Sequence, residues 1–224
     1  MMKGYKLNHI DPEEIGDLLV KVEKSFDIQV GRTELMYIST FGEVCDLIAG
    51  KIQLDHADDC TSQQAFYKLR DAISSTLQVD RKAISTNALL ADFLPTQNRR
   101  SRIKKLEKHV GFKLNMLRPP HWGTGALTIV LLISLVGLFS NWPIALAGCV
   151  FSIAGLGFAA KLGNELDLQT IGQVVEKMTR ENYVQSRRNP RTFNKNEIEK
   201  IITNWFCDEL GLDKSTLTRK TTFV

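Results

Sequence analysis

The chain has 224 residues, 43% of them hydrophobic and 24% charged, with a formal net charge of +4. Residues 123–160 contain no Asp, Glu, Lys, Arg or His, which leaves 1–122 and 161–224 for soluble structure, room for small domains and none for a large enzyme core. The four cysteines are scattered without CxxC spacing, one of them in the uncharged stretch, and read as reduced, structural thiols.

The opening stretch MMKGYKLNHIDPEE has no apolar run of the kind a cleaved secretory signal needs. Asp11-Pro12-Glu13-Glu14 predicts a helix start, with Asp11 as N-cap, Pro12 at the first position and acids in the first turn. Ile15, Leu18, Leu19, Val22 and Phe26 continue it as an apolar stripe at helical spacing. Ser39 or Thr40 caps a second helix with Phe41, Val44, Leu47 and Ile48 inward. Thr61 and Gln64 have capping-box spacing and open a third, with Phe66, Leu69, Ile73 and Leu77 inward. Asp80–Pro95 reads as a long loop pinned by Ile84, Leu89, Leu90, Phe93 and Leu94. A basic helix follows, with Ile103, Leu106 and Val110 inward. After the apolar stretch, Thr170 caps a helix carrying Ile171, Val174, Val175 and Met178, and Gln185–Asn194 is a basic linker. Asn196–Leu210 is the last long helix, with Ile198, Ile201, Ile202, Trp205 and Phe206 inward. No segment alternates as a strand should, so the expected class is all-α.

The uncharged stretch divides into Gly123–Ser140 and Ile144–Ala160 around an Asn141-Trp142-Pro143 turn. Each half approaches the ~20 apolar residues needed to cross a bilayer core of ~30 Å, so a two-helix transmembrane hairpin is predicted. Gly148, Ser152 and Gly155 supply a small-residue stripe for close packing of the two helices. Arg99, Arg100, Arg102, Lys104, Lys105, Lys108, Lys113 and Arg118 precede the hairpin, Lys161 follows it, and the turn is uncharged. The positive-inside rule then puts both termini in the cytoplasm. The basic block lacks interleaved aromatics, so membrane lipid is its expected partner and nucleic acid is not. His56, Asp58, Asp59 and Cys60 cluster like metal ligands but lie in a helix-entry linker; no metal is expected there. His9, His109 and His121 have no partners at triad or ligand spacing.

Three pairs of segments match one another: Thr40–Ile48 with Thr170–Met178, Lys21–Val30 with Lys105–Leu114, and Ile73–Ala88 with Phe206–Thr221. They imply two copies of one unit in scrambled order. That unit resembles an acyl carrier protein. Leu210-Gly-Leu-Asp-Lys-Ser-Thr-Leu217 followed by Thr222-Phe-Val224 is similar to the family's first helix and loop. Val22–Val30 is similar to the end of its second helix, and Thr40-Phe-Gly-Glu-Val44 to its last-helix cap. The stretch Cys60–Arg70, with Leu94-Pro95 and Arg118–Trp122, resembles membrane-anchored carrier-like proteins of bacteria.

The resemblance implies two small four-helix bundles, one of them circularly permuted, with the hairpin inserted in the other. Residues 1–54 and 194–224 would build the first; 61–118 and 166–185 would build the second around 123–160. Carriers act through a Ser at the head of the second helix that takes a phosphopantetheine arm. The matching positions here are Pro12, which has no hydroxyl, and Thr96, within Leu-Pro-Thr-Gln-Asn. The expectation is therefore a non-enzymatic docking or tethering module with no cofactor, anchored in a bacterial inner membrane. Its surface would comprise Asp11, Glu13, Glu14 and Asp17 for a protein partner and Arg99, Arg100, Arg102, Lys104 and Lys105 for partner or lipid. The protein partner would be an acyl-chain enzyme. Two alternatives stand: a working carrier modified at Thr96, and an assembly subunit that homo-oligomerises by swapping helices.

Overall fold

The computed structural model describes residues 12–138 and 141–223, and the chain is mostly helical. In chain order the helices are α1 (Pro12–Phe26), α2 (Arg32–Leu35), α3 (Phe41–Lys51), α4 (Thr61–Leu77), α5 (Leu90–Phe93) and α6 (Arg99–Val110). They continue with α7 (His121–Gly137), α8 (Trp142–Leu162), α9 (Ile171–Glu181), α10 (Tyr183–Ser186) and α11 (Lys195–Leu210). Among the described residues, four two-residue strands interrupt the helical pattern. β1 (Asp55–His56) pairs in parallel with β4 (Thr192–Phe193), and β2 (Leu117–Arg118) pairs antiparallel with β3 (Glu165–Leu166). Pieces this short carry no alternation for a sequence to display.

Two separate apolar cores form. The first gathers the inward stripes of α1, α3 and α11, with Tyr183, Phe193 and Leu217. Phe41 meets Phe206 edge-on at 5.1 Å, and Phe26 lies 4.9 Å from Tyr183. The second gathers α4, α5, α6 and α9 with Leu114 and Met116. Full burial of one such side chain is worth about 1.5–3 kcal/mol, so the spacing of these stripes decides which helix faces assemble. Of the expected pins in 80–95, Ile84, Leu90, Phe93 and Leu94 are buried, whereas Leu89 is exposed and serves instead as a backbone bridge to Thr170.

The segment 166–185, expected to serve the second core alone, is divided. The helix breaks at Asn182 (φ −141°), and Tyr183 turns into the first core. Ser25 of α1 holds the break, donating to the Arg180 carbonyl at 2.5 Å and accepting from the Tyr183 N–H at 3.0 Å.

The matched sequence pairs adopt matched local geometry. Thr40 and Thr170 each accept an N–H three residues on, from Glu43 and Gln173, both at 3.3 Å. The Phe41 and Gly42 N–H groups bond the Thr221 and Arg219 carbonyls at 2.9 Å; those of Ile171 and Gly172 bond Ala88 and Thr86 at 3.0 and 2.7 Å. Both glycines sit close to these carbonyls: a Cβ would lie 2.8 Å from the Arg219 oxygen, which would have to shift, and 3.0 Å from that of Thr86. The Glu23 carboxylate takes the Val30 N–H at 2.5 Å, as that of Glu107 takes Leu114 at 2.9 Å. The left-handed residues also correspond, Asp27 with Gly111 and Gln78 with Gly211.

Candidate functional site at the hairpin neck

α7 and α8 lie against each other along the small-residue stripe. Gly148 receives Ser134, a Cβ on Gly155 would lie 3.0 Å from Leu127, and Ser152 is fully buried. Everything away from that seam is bare: Ile133, Val136, Ile144, Phe151 and Phe158 are each 66–72% exposed. A soluble core hairpin would hide these side chains; isolated patches of this kind need a cover. α8, at 21 residues, is long and apolar enough to cross a membrane. α7 runs 17 residues, starting at His121 and ending at Gly137, so it is displaced from the expected Gly123–Ser140, whose last residues fall outside those described.

The hairpin joins the second core through a braced neck. β2 and β3 pair across its two strands, Leu117 with Leu166 and Arg118 with Glu165. Gly163 packs on the Arg118–Pro119 peptide so tightly that a Cβ would sit 2.5 Å from the Arg118 carbonyl carbon. Arg118 reaches Glu165 and Asp167 at 3.9 and 3.8 Å, and Lys177 of α9 reaches Asp167 at 3.6 Å. Arg99, at the head of α6, donates to the Leu94 carbonyl at 2.7 Å and to the Asn164 carbonyl at 2.6 Å. Asn164 returns a bond from its side-chain amide to the Thr96 carbonyl at 3.1 Å.

Thr96 therefore stands at the neck. It is exposed, three residues before α6, with its hydroxyl 3.5 Å from the Arg99 guanidinium. Asn98, in the left-handed region, occupies the N-cap position of α6 without a side-chain cap bond. Of the predicted basic surface, Arg100, Lys104 and Lys105 are exposed on α6, while Arg99 and Arg102 spend their guanidinium groups on backbone carbonyls, Arg102 on Phe93 at 3.1 Å. Glu13, Glu14 and Asp17 are exposed on α1; Asp11 lies outside the described residues. The described acidic residues thus lie on α1, which packs in the first core, and the basic ones on α6, which packs in the second.

Elsewhere the sequence reading missed a buried junction. Thr61 does open α4, but its N–H is taken by the Glu197 carboxylate of α11 (3.1 and 3.2 Å), not by its own capping box with Gln64. Its hydroxyl accepts from Arg187 at 2.5 Å. Arg187, expected in a solvated linker, is 1% exposed and also donates to the carbonyls of Ala57 and Asp59 and to the Thr192 hydroxyl. The His56 cluster is spent on structure: His56 bonds Asp58 at 3.0 Å, the Asp59 carbonyl receives Arg187, and no group of metal-ligand type forms among the described residues. Folding does give His109 neighbours, Ser75 at 3.4 Å and Asp71 at 3.8 Å. Ser75, however, donates to the Asp71 carbonyl at 2.7 Å, and Asp71 is already paired with Arg81, so imidazole is not placed to activate the hydroxyl. Burial pushes the Cys45 thiol up to about 12, and burial likewise raises that of Cys207; neither is a reactive thiol.

Compared with known proteins, the chain matches no family model, no curated protein and no solved structure.

Proposed function

We propose that this chain is a membrane-anchored, acyl-carrier-like protein that docks or tethers a protein partner, an acyl-chain enzyme, at the cytoplasmic face of a bacterial inner membrane, without catalysis of its own. One observation carries the reading: an apolar hairpin with bare outer faces is braced by hydrogen bonds and strand pairing into a helical core. α8 spans, and α7 returns beside it at about the lower length limit for a crossing. Arg118 and Lys161 flank the pair, and Trp122 and Trp142 stand exposed at its two ends, where indoles favour the headgroup level.

Thiol labelling in whole cells tests the topology. Cys60 is exposed on the soluble side and Asn141→Cys would place a second thiol on the turn. The N141C thiol should react with a membrane-impermeant maleimide from outside, and Cys60 only after lysis. Labelling of Cys60 in intact cells would reverse the orientation, and recovery of the wild type in the soluble fraction would remove the anchor.

A second reading has one observation in its favour: Thr96 presents an exposed hydroxyl at the head of α6. Intact mass after co-expression with a broad-specificity phosphopantetheinyl transferase separates the two. An unmodified mass is expected; an adduct mapped to Thr96 would make this a working carrier.

A further inference from the structure

The strongest unexplained feature is electrostatic and lies away from the neck. A cleft of about 550 Å³ opens between α4 and the segment following α10, and Lys68, Arg70, Arg81, Arg187 and Arg188 line it together with one carboxylate, Asp71. Asp71 is consumed by Arg81. Among the described residues the other four cations have no ion pair. Arg187 makes this costly, because its guanidinium is buried and bonded only to neutral oxygens. Lys68 is partly desolvated, which lowers its pKa, and its ammonium reaches the Gln185 carbonyl at 2.7 Å.

Local structure accounts for the placement of each group but not for their sign. Arg70 stacks over Phe66 and Tyr67, at 5.3 and 4.9 Å, which fixes a planar fork at the cleft wall. The Gln64 side chain takes the Arg188 N–H at 2.7 Å and so holds that backbone at the opening. A cleft lined by one sign of charge focuses its field and concentrates counter-ions, and rigid guanidinium groups match the oxygens of a phosphate. The volume lies within the range of small-ligand sites.

We propose that this cleft binds a phosphorylated ligand, either a soluble phosphate compound or the phosphate of a lipid headgroup. The proposal is independent of the membrane reading. The phosphate oxygens meet Arg70 and Arg188, with Lys68 as a point charge beside them, and the buried, unpaired Arg187 adds its field from behind the cleft wall.

The test uses the full chain purified in an uncharged detergent, titrated calorimetrically with inorganic pyrophosphate. Saturable binding that weakens with added salt is expected. Arg188→Gln should weaken it about tenfold, and Arg70→Gln with Arg188→Gln further still, because charge-assisted contacts to phosphate oxygens are the strong ones. Lys220→Gln, an equal charge change outside the cleft, should leave it unaltered, with circular dichroism verifying that each variant is folded. Phosphatidic acid in the micelles should displace pyrophosphate if the natural source is a headgroup; absence of displacement assigns a soluble compound. No saturable binding by the wild type, or binding as tight as wild type by both the folded Arg188→Gln and double variants, would overturn the proposal.

Discussion

The two cores are built from the same parts and used differently. Each has a helix capped by Thr at a bridge to a second strand of chain, a glycine pressed on a carbonyl, and a glutamate closing the end of another helix. The first core is assembled from residues near the two ends of the sequence. Between α6 and α9 the second core's chain leaves for the hairpin α7–α8, whereas between α1 and α3 the first has only the short passage 27–40 around α2. Their equivalent helices also differ in sign, with Glu13, Glu14 and Asp17 on α1 against Arg100, Lys104 and Lys105 on α6. Caps and stripes of the same kind therefore build both cores although the chain passes through them in a different order.

The largest expected effect asks whether the cores are energetically separate. Leu69 is buried in the second core, and truncation to Ala should cost about 2–5 kcal/mol. Trp205 is buried in the first and reports on it by fluorescence once Trp122 and Trp142 are replaced by Phe. Because Ser25, Glu197 and Arg187 bond elements of both cores, Leu69→Ala should also lower the Trp205 midpoint. An unmoved midpoint would make the cores independent.

A smaller effect compares the two pressed glycines. Gly42→Ala must displace the Arg219 carbonyl and should cost about 1–3 kcal/mol, with Gly172→Ala costing less because its contact is 0.2 Å longer (3.0 against 2.8 Å). Thermal melts of the two variants check the order.

The smallest effect is a difference in acid sensitivity. The N–H groups of Ser39 and Thr40 hold the Glu43 carboxyl below its ordinary 4.5, whereas the second copy has the non-titrating Gln173 in the same cap. A depressed folded pKa means the folded state binds the proton less tightly than the unfolded chain. The contribution is therefore complete above pH 4.5 and fades as pH falls through the lower folded value. Glu43→Gln should flatten the decline of the Trp205 midpoint below that pH, and Gln173→Glu should introduce a matching decline in the second core.

Much of this arrangement was legible because it is periodic or local. The stripes Leu18–Phe26 and Ile171–Met178, the Thr40 and Thr170 caps and the Gly148–Gly155 seam all follow from spacing along one helix. What escaped is long-range. Arg187 reads as one basic residue of a linker until Ala57, Asp59 and Thr61, more than 120 positions away, surround it. Glu197 capping α4 is the same kind of event, and no pattern within either helix signals it. Asn164 directly follows Gly163, and that pair shows where the apolar run ends but not that it grips Thr96 and Arg99.

The neck also governs how far the two helical cores can swing against the hairpin. Only Gly163 and Asn164 separate α8 from β3, and only Pro119 and Pro120 separate β2 from α7. Neither joint is a flexible leash: one is packed on a peptide bond, the other is a stiff pair of prolines. Anchored as proposed, the protein would search a plane instead of a volume. Its exposed faces would then keep one height and one tilt, so a partner would have to work close to the lipid surface.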